Sequence, residues 1–372
     1  MLLLTGIIIL LSYGATCNKK KDKDTAPATV AGSSVIPEAV GITDTDFGLA
    51  GVVTSAIGGS CYINGLAIQA DGKILWAGLA YSISNDDFAV ARYDTNGVPD
   101  NAFGTNGTVT NTIGASTDQI TKIEIQTDSK IVAAGYGGFG PIKPALARYT
   151  ADGALDPTFG TNGILTATIS TGNAVFNDLK IQTDGKIVAG GYRDSAFYLM
   201  RYTTAGVPDS SFGTDGAITT TIGTGSDEMA YDIALQSDGK ILLCGYSSSP
   251  SDYYGFIARY NTNGSLDSSF GANGVVTQTI ATYTDIEYYG MSLQANGRIV
   301  VVGYADSGII LARYNTNGTL DTGFGVDGII IVPTTATYTY ANDVKIQADG
   351  RIVVGGRIYQ GGLNRSILIR YK

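Results

Sequence analysis

Apolar and polar residues alternate along this chain in short runs, and no stretch follows helical spacing. The pattern is clearest from Ile181 to Tyr192, IQTDGKIVAGGY: an apolar run, a polar Asp-Gly, then a second apolar run. Two such runs parted by Asp-Gly predict a β-hairpin, since glycine accepts the positive φ of a tight turn. The chain writes this hairpin six times, at Ile68–Leu79, Ile125–Tyr136, Ile181–Tyr192, Leu235–Tyr246, Leu293–Tyr304 and Ile346–Arg357.

Two other markers keep step with it. Phe-Gly recurs at Phe47, Phe103, Phe159, Phe212, Phe270 and Phe324, and Arg-Tyr at Arg92, Arg148, Arg201, Arg259, Arg313 and Arg370. Neighbouring copies lie 53 to 58 residues apart in each series, a period that fits propeller blades. The third copy offers four strands, Gly163–Ile169, Asn177–Gln182, Lys186–Tyr192 and Phe197–Tyr202, each rich in β-branched or aromatic residues. The expected fold is therefore all-β: a six-bladed β-propeller of four-stranded antiparallel blades over residues 44–372. An open β-solenoid is the alternative, because a period alone does not establish ring closure. The apolar second and third strands belong inside. The Thr-rich first strand suits an outer edge, where it completes the preceding blade. Val52–Ile57 is then expected to pair with the blade made by Asn342–Tyr371 and close the ring.

Three motifs together resemble the bacterial delta-60 repeat family: Leu-Asp-x-x-Phe-Gly-x-x-Gly at Leu155–Gly163, Ile-Gln-x-Asp-Gly-Lys-Ile-Val at Ile181–Val188, and Ala-Arg-Tyr at Ala147–Tyr149. The resemblance runs from Asp44 to Lys372, and the first copy departs from it with Ile42-Thr-Asp44. It implies a propeller-like, exported protein and brings no catalytic residues with it.

The N-terminus agrees with export. Met1–Leu11 is apolar but for Thr5 and Gly6, too short for the ~20 residues of a membrane span and suited to a signal peptide. Gly14-Ala15-Thr16-Cys17 resembles a bacterial lipoprotein signal, in which Cys17 would be lipidated. An ordinary cleaved signal with an incidental cysteine is the other reading. Residues 1–17 are thus expected to be the signal. Residues 18–43, charged and then rich in Ala, Pro, Ser and Thr, form a flexible tether. The expected location is the bacterial cell envelope, with a lipid anchor as the only membrane contact, or else the secreted fraction.

Composition narrows the chemistry. A net charge of -9 argues against a nucleic-acid partner. With no histidine in the chain, Ser-His-Asp and Cys-His catalysis are excluded and a zinc site is disfavoured. Asp94-x-Asn96-Gly97-x-x-Asp100 has the look of a calcium loop, but Thr150 and Thr203 stand at its first position in the next two copies. Asx-turn chemistry accounts for it. No metal or cofactor is expected, and a monomer is. Cys61 and Cys244 fall in different strands of units across the ring, so no disulfide is expected between them. The repeated Arg and Asp residues, such as Arg148 and Asp156, are expected to be scaffold between blades.

Function is then expected on the rim opposite the Asp-Gly turns, where the connections vary. Tyrosines gather there in the later units: Tyr231, Tyr253, Tyr254, Tyr283, Tyr288, Tyr289, Tyr338 and Tyr340. Asn64, Lys122, Asn177, Asp178, Asp232, Asn342 and Asp343 stand near the start of the inner strand and so at the mouth of the channel. The candidate ligand-binding set is Asn177, Asp178, Tyr231, Asp232, Tyr288, Tyr289, Asn342 and Asp343. Tyrosine faces beside carboxylates and amides suit a glycan, a peptide or another envelope protein. The expected function is a non-catalytic binding or scaffold propeller. The alternative is a hydrolase acting on extracellular polysaccharide through a carboxylate pair such as Asp178 and Asp232.

Overall fold

The computed structural model describes residues 44, 46–49, 51–54, 57, 60–81, 85–114, 117–138, 141–167, 172–222, 227–280, 282–306, 308–333 and 338–372. Among the described residues the chain is all-β, in six antiparallel sheets that make a six-bladed β-propeller. Cys17 and the tether lie outside the described residues.

Each blade opens on its innermost strand: Ser60–Ile68, Gln119–Ile125, Ala174–Ile181, Glu228–Leu235, Ile286–Leu293 and Tyr338–Ile346. In the third blade Ile187–Arg193, Ala196–Tyr202 and the outer Ala217–Thr220 follow in order. The outer strand is the Thr-rich run of the next repeat, as the alternation along the sequence requires. Between the first two strands, Gln182 N–H donates to Lys186 O at 2.8 Å and Gly185 turns at a φ of 81°. The second and third strands bury almost every residue because they pack on neighbouring blades through both faces. Val188, Leu199, Ile233, Leu243 and Phe256, from the third and fourth blades, form one such seam.

The repeated polar residues bind blade to blade. Arg201 donates from Nε to Asp209 at 2.8 Å and from a terminal nitrogen to the carbonyl of Thr262 in the next blade at 2.5 Å. Its guanidinium lies 4.6 Å from the ring centre of Phe212. Arg92, Arg148, Arg259 and Arg313 repeat the Asp pairing at 2.7–2.9 Å and the ring contact at 4.3–4.7 Å. Burial works against ionised Asp209, yet Ser211, Lys186 and Arg201 together hold its carboxyl well below the usual range. Cys61 and Cys244 are buried and form no disulfide with one another.

One expectation needs correcting. The sixth sheet contains three strands among the described residues, Tyr338–Ile346, Ile352–Gln360 and Leu363–Tyr371. Val52 does not join it: it forms a bridge with Leu49 inside a turn. The segment is docked on the first blade, as the Phe-Gly segments of Gly104, Gly160, Gly213 and Gly271 are each docked on the blade that follows. Gly48 N–H donates to Asn96 O at 2.7 Å, and Gly97 has no room for a Cβ because one would meet a Val53 methyl at 2.5 Å. The segment is thereby held on the first blade.

Candidate functional site

Every innermost strand carries one β-bulge at the same place. In the third blade Asp178 faces Gly190 and Phe176 faces Gly191, so Asn177 is the extra residue. Gly191 permits it, since a Cβ there would fall 2.2 Å from Val175 O. The corresponding bulge residues are Asn64, Thr121, Tyr231, Tyr289 and Asn342. Where the residue is small and polar it reaches the next blade. Asn64 donates to Ile120 O, Thr121 to Phe176 O and Asn177 to Ala230 O, each at 2.7 Å. Asn342, the sixth, keeps a buried side-chain oxygen without a hydrogen-bond partner.

The next position points into the channel. Asp178 is 1% exposed and Asp232 7%. Asp178 accepts from Ile233 N–H at 2.8 Å and lies 3.5 Å from Lys122 and 3.0 Å from Lys180. Asp232 accepts from Met291 N–H at 2.7 Å and shares a hydrogen bond with Asp178. Lys180 also pairs with Glu124 at 3.1 Å. The environments push the two acids apart. Burial disfavours charge on both, but Lys122 and Lys180 keep Asp178 ionised, below the ordinary carboxylate range. Burial and the charge of Asp178 then raise Asp232 to about 7. Across the channel Asp343 pairs with Lys345 at 2.8 Å. Lys122, Lys180, Asp343 and Lys345 line one cavity of about 450 Å³.

On the rim above, the bulge tyrosines belong to a continuous aromatic face. Tyr253, Tyr246, Tyr231, Tyr289 and Tyr340 follow one another across the fourth, fifth and sixth blades, and Tyr304, Tyr338 and Tyr359 extend the series. Adjacent ring centres are 5.0–6.5 Å apart. Tyr289 donates its hydroxyl to Glu287, a carboxylate whose pKa burial raises. Arg357 lies 4.8 Å above the Tyr340 ring, and its Nε has no hydrogen-bond partner.

Of the residues singled out in the sequence, the structure brings Asp178 and Asp232 into contact and sets Asn177, Tyr231, Tyr289 and Asn342 at equivalent points of four inner strands. Tyr288 is a correction. It is fully buried between blades and hydrogen-bonded to Tyr314 at 2.8 Å, because the bulge turns Tyr289 outward in its stead. Tyr254 turns to its own loop and bonds Asp252 at 3.2 Å. Sequence reasoning passed over Tyr246 and Tyr304, which close the repeated hairpin and so look like scaffold. It also passed over Glu287 and Arg357. The signal was available: these strand ends lie on the variable rim.

A ring of six antiparallel sheets around a polar channel, with an aromatic face at one mouth, defines a β-propeller. Comparison with known families agrees. The profile described as "Domain of unknown function (DUF5122) beta-propeller" matches residues 69–103, 126–159, 182–212, 236–270, 294–324 and 347–372, together more than half of the chain. The protein belongs to this family. No curated relative matches it.

Among solved structures, it is similar to a protein from Lactobacillus plantarum at 15% identity, covering 83% of this chain and 84% of that one, with a TM-score of 0.49. It is similar to virginiamycin B lyase from Staphylococcus aureus at 12% identity, with coverage of 83% and 85% and a TM-score of 0.48. Chaetomium thermophilum Sqt1, solved with the N-terminus of ribosomal protein L10, is also 12% identical, with coverage of 80% and 71% and a TM-score of 0.46.

Proposed function

We propose that this protein is an exported, non-catalytic binding propeller that takes a glycan chain on the tyrosine face of its fourth to sixth blades. The observation that carries the reading is the run of adjacent tyrosine rings, edged by Glu287 and by the unpartnered Nε of Arg357. Aromatic faces pack against the C–H faces of sugar rings, while carboxylate and guanidinium groups bind hydroxyls. Tyrosine offers this area with little side-chain entropy to lose.

The channel acids fit the hydrolase alternative poorly. Glycoside hydrolysis needs two carboxyls roughly 5–10 Å apart with room for sugar or water between them. Asp178 and Asp232 are buried and hydrogen-bonded to one another, and backbone N–H groups together with Lys122 and Lys180 occupy their oxygens.

Tyr289→Ala combined with Tyr340→Ala is expected to weaken binding of the best ligand on a glycan array at least tenfold, about 1.4 kcal/mol. Phenylalanine at both positions is expected to keep most of the affinity. Titration calorimetry reads both. An array with no ligand, or unchanged affinity in the alanine pair, would sink the proposal.

We also infer that the chain is tethered to a bacterial membrane by lipid on Cys17, since a short apolar run, small residues and a polar tether flank that cysteine. Cys17→Ala is expected to move the protein from the membrane pellet to the soluble fraction on cell fractionation. Continued sedimentation with membranes would rule the anchor out.

A further inference from the structure

Arg357 departs from its own repeat. The residue that ends the repeated hairpin is Leu79, Tyr136, Tyr192, Tyr246 and Tyr304 in the first five copies and arginine in the sixth. Register places it beside the channel mouth. Arg357 faces Tyr340 of the inner strand, as Tyr304 faces Glu287 and Tyr246 faces Met229. A guanidinium thus enters a row that in the preceding blades holds tyrosine rings.

The frame gives other arginines a counter-charge. Arg92, Arg148, Arg201, Arg259 and Arg313 each hold an aspartate at 2.7–2.9 Å, and Arg298 pairs with Asp321 at 3.3 Å. Arg357 is half-buried, yet among the described residues it makes no ion pair and no side-chain hydrogen bond. Its guanidinium carbon lies 4.8 Å from the centre of the Tyr340 ring. Holding a cation there without a partner is costly, and a planar fork is shaped for a carboxylate. Charge on this face is divided between two blades. On the fifth, burial, Tyr340 and the carboxylates of Asp285, Asp306 and Glu287 together raise the Tyr304 hydroxyl to about 12. On the sixth, Arg357 opposes the rise that burial causes at Tyr340, while Glu287 adds to it. Lower in the channel, Asp343 and Lys345 satisfy one another at 2.8 Å.

We propose, on the reading of the tyrosine face as a glycan site, that Arg357 sets its specificity and that the glycan is acidic, its uronate carboxylate held by this guanidinium. The neighbouring ring supplies the platform. Tyr338 is 47% exposed, its ring is inclined by 20° to that of Tyr340, and the two centres are 6.2 Å apart. A sugar packed on Tyr338 lies beside the guanidinium. The carboxylate of a uronic acid projects near the plane of its sugar ring, so it meets the fork edge to edge. A sulfate ester stands off the ring through a further oxygen and presents a tetrahedron instead. The carboxylates of the fifth blade repel the same anion. That fixes the direction of the glycan, with the acidic ring on the sixth blade and hydroxyls toward Glu287.

Matched oligosaccharides test this in the full chain. Galacturonate, glucuronate and mannuronate oligomers are titrated calorimetrically beside the same oligomers with their carboxyls reduced to alcohols, and beside a sulfated neutral oligomer. The parent is expected to bind one uronate series about tenfold or more tighter than its reduced form. Arg357→Gln is expected to abolish that preference while leaving affinity for the reduced form and the melting temperature unchanged. Arg357→Lys keeps the charge and is expected to restore only part of the preference. The comparison in the parent does not depend on any variant folding. Equal affinity for the two forms in the parent, a preference that survives Arg357→Gln, or a tighter hold on the sulfated oligomer would each overturn the assignment. Neutral oligomers bound through Tyr289 and Tyr340 with no uronate preference overturn it alone and leave a neutral-glycan face. A glycan array without any ligand removes the face and the assignment together.

Discussion

Asp178→Ala is expected to destabilise the protein by about 3 kcal/mol at neutral pH, read as a lowered midpoint in urea denaturation. The side chain is 1% exposed and is the shared counter-ion of Lys122 and Lys180. Its removal leaves two ammonium groups facing one another in a confined channel and leaves the Ile233 N–H with Asp232 as its one acceptor. The cost lies at the low end for breaking a buried pair, because Lys180 retains Glu124.

Asp232→Asn is expected to behave in the opposite way. The folded-state pKa of Asp232 is raised from 3.8 to about 7, so the native state holds a proton that the unfolded chain releases. That contribution to stability is complete below the ordinary value and is lost as pH rises through about 7. The asparagine variant keeps a hydrogen-bond donor toward Asp178 and has no proton to lose. It should match the parent near pH 3, gain on it as pH rises from there, and exceed it most at pH 8. A gain at pH 3 as large as that at pH 8, or a loss at pH 8, would refute the assignment of the ionised acid to Asp178 and the protonated one to Asp232.

Arg201→Ala is expected to cost about 3–5 kcal/mol, the cost of leaving a buried charge without its partner. It removes the bond to Asp209, the bond to the Thr262 carbonyl of the next blade, and the cover over Phe212. Arg201→Lys is expected to recover little, since an ammonium cannot serve two blades through a planar fork. A loss below about 1 kcal/mol would mean that the repeated arginine is ornament on a seam held by apolar packing.

The architecture was legible in the sequence because it is written six times. Asp184-Gly185, Phe159-Gly160 and Arg148-Tyr149 each recur in step, so blade content, strand order and the outward place of the Thr-rich strand follow from local chemistry. The site was less legible. Tyr288 and Tyr289 are adjacent and chemically identical, yet one is core and the other rim. What separates them is the bulge, and that is a property of register with a neighbouring strand. Tyr246 and Tyr304 looked like scaffold because they repeat; their part in an aromatic face appears only when three blades are set side by side. The equivalent places of Asp178 and Asp232 on neighbouring inner strands were accessible from the repeat alone. Which member keeps its proton was not, because that depends on Lys122 and Lys180 from two blades.

The bulge found in every inner strand has a broader meaning. Each blade spares one residue from pairing, and that residue can be exchanged without shifting the register of the rest. At Asn64, Thr121 and Asn177 the spare residue is a stitch to the next blade; at Tyr231 and Tyr289 it is a displayed ring. The molecule is accordingly a sewn half and a presenting half built on one repeated frame. The aromatic face could be moved around the ring by rewriting one letter per blade.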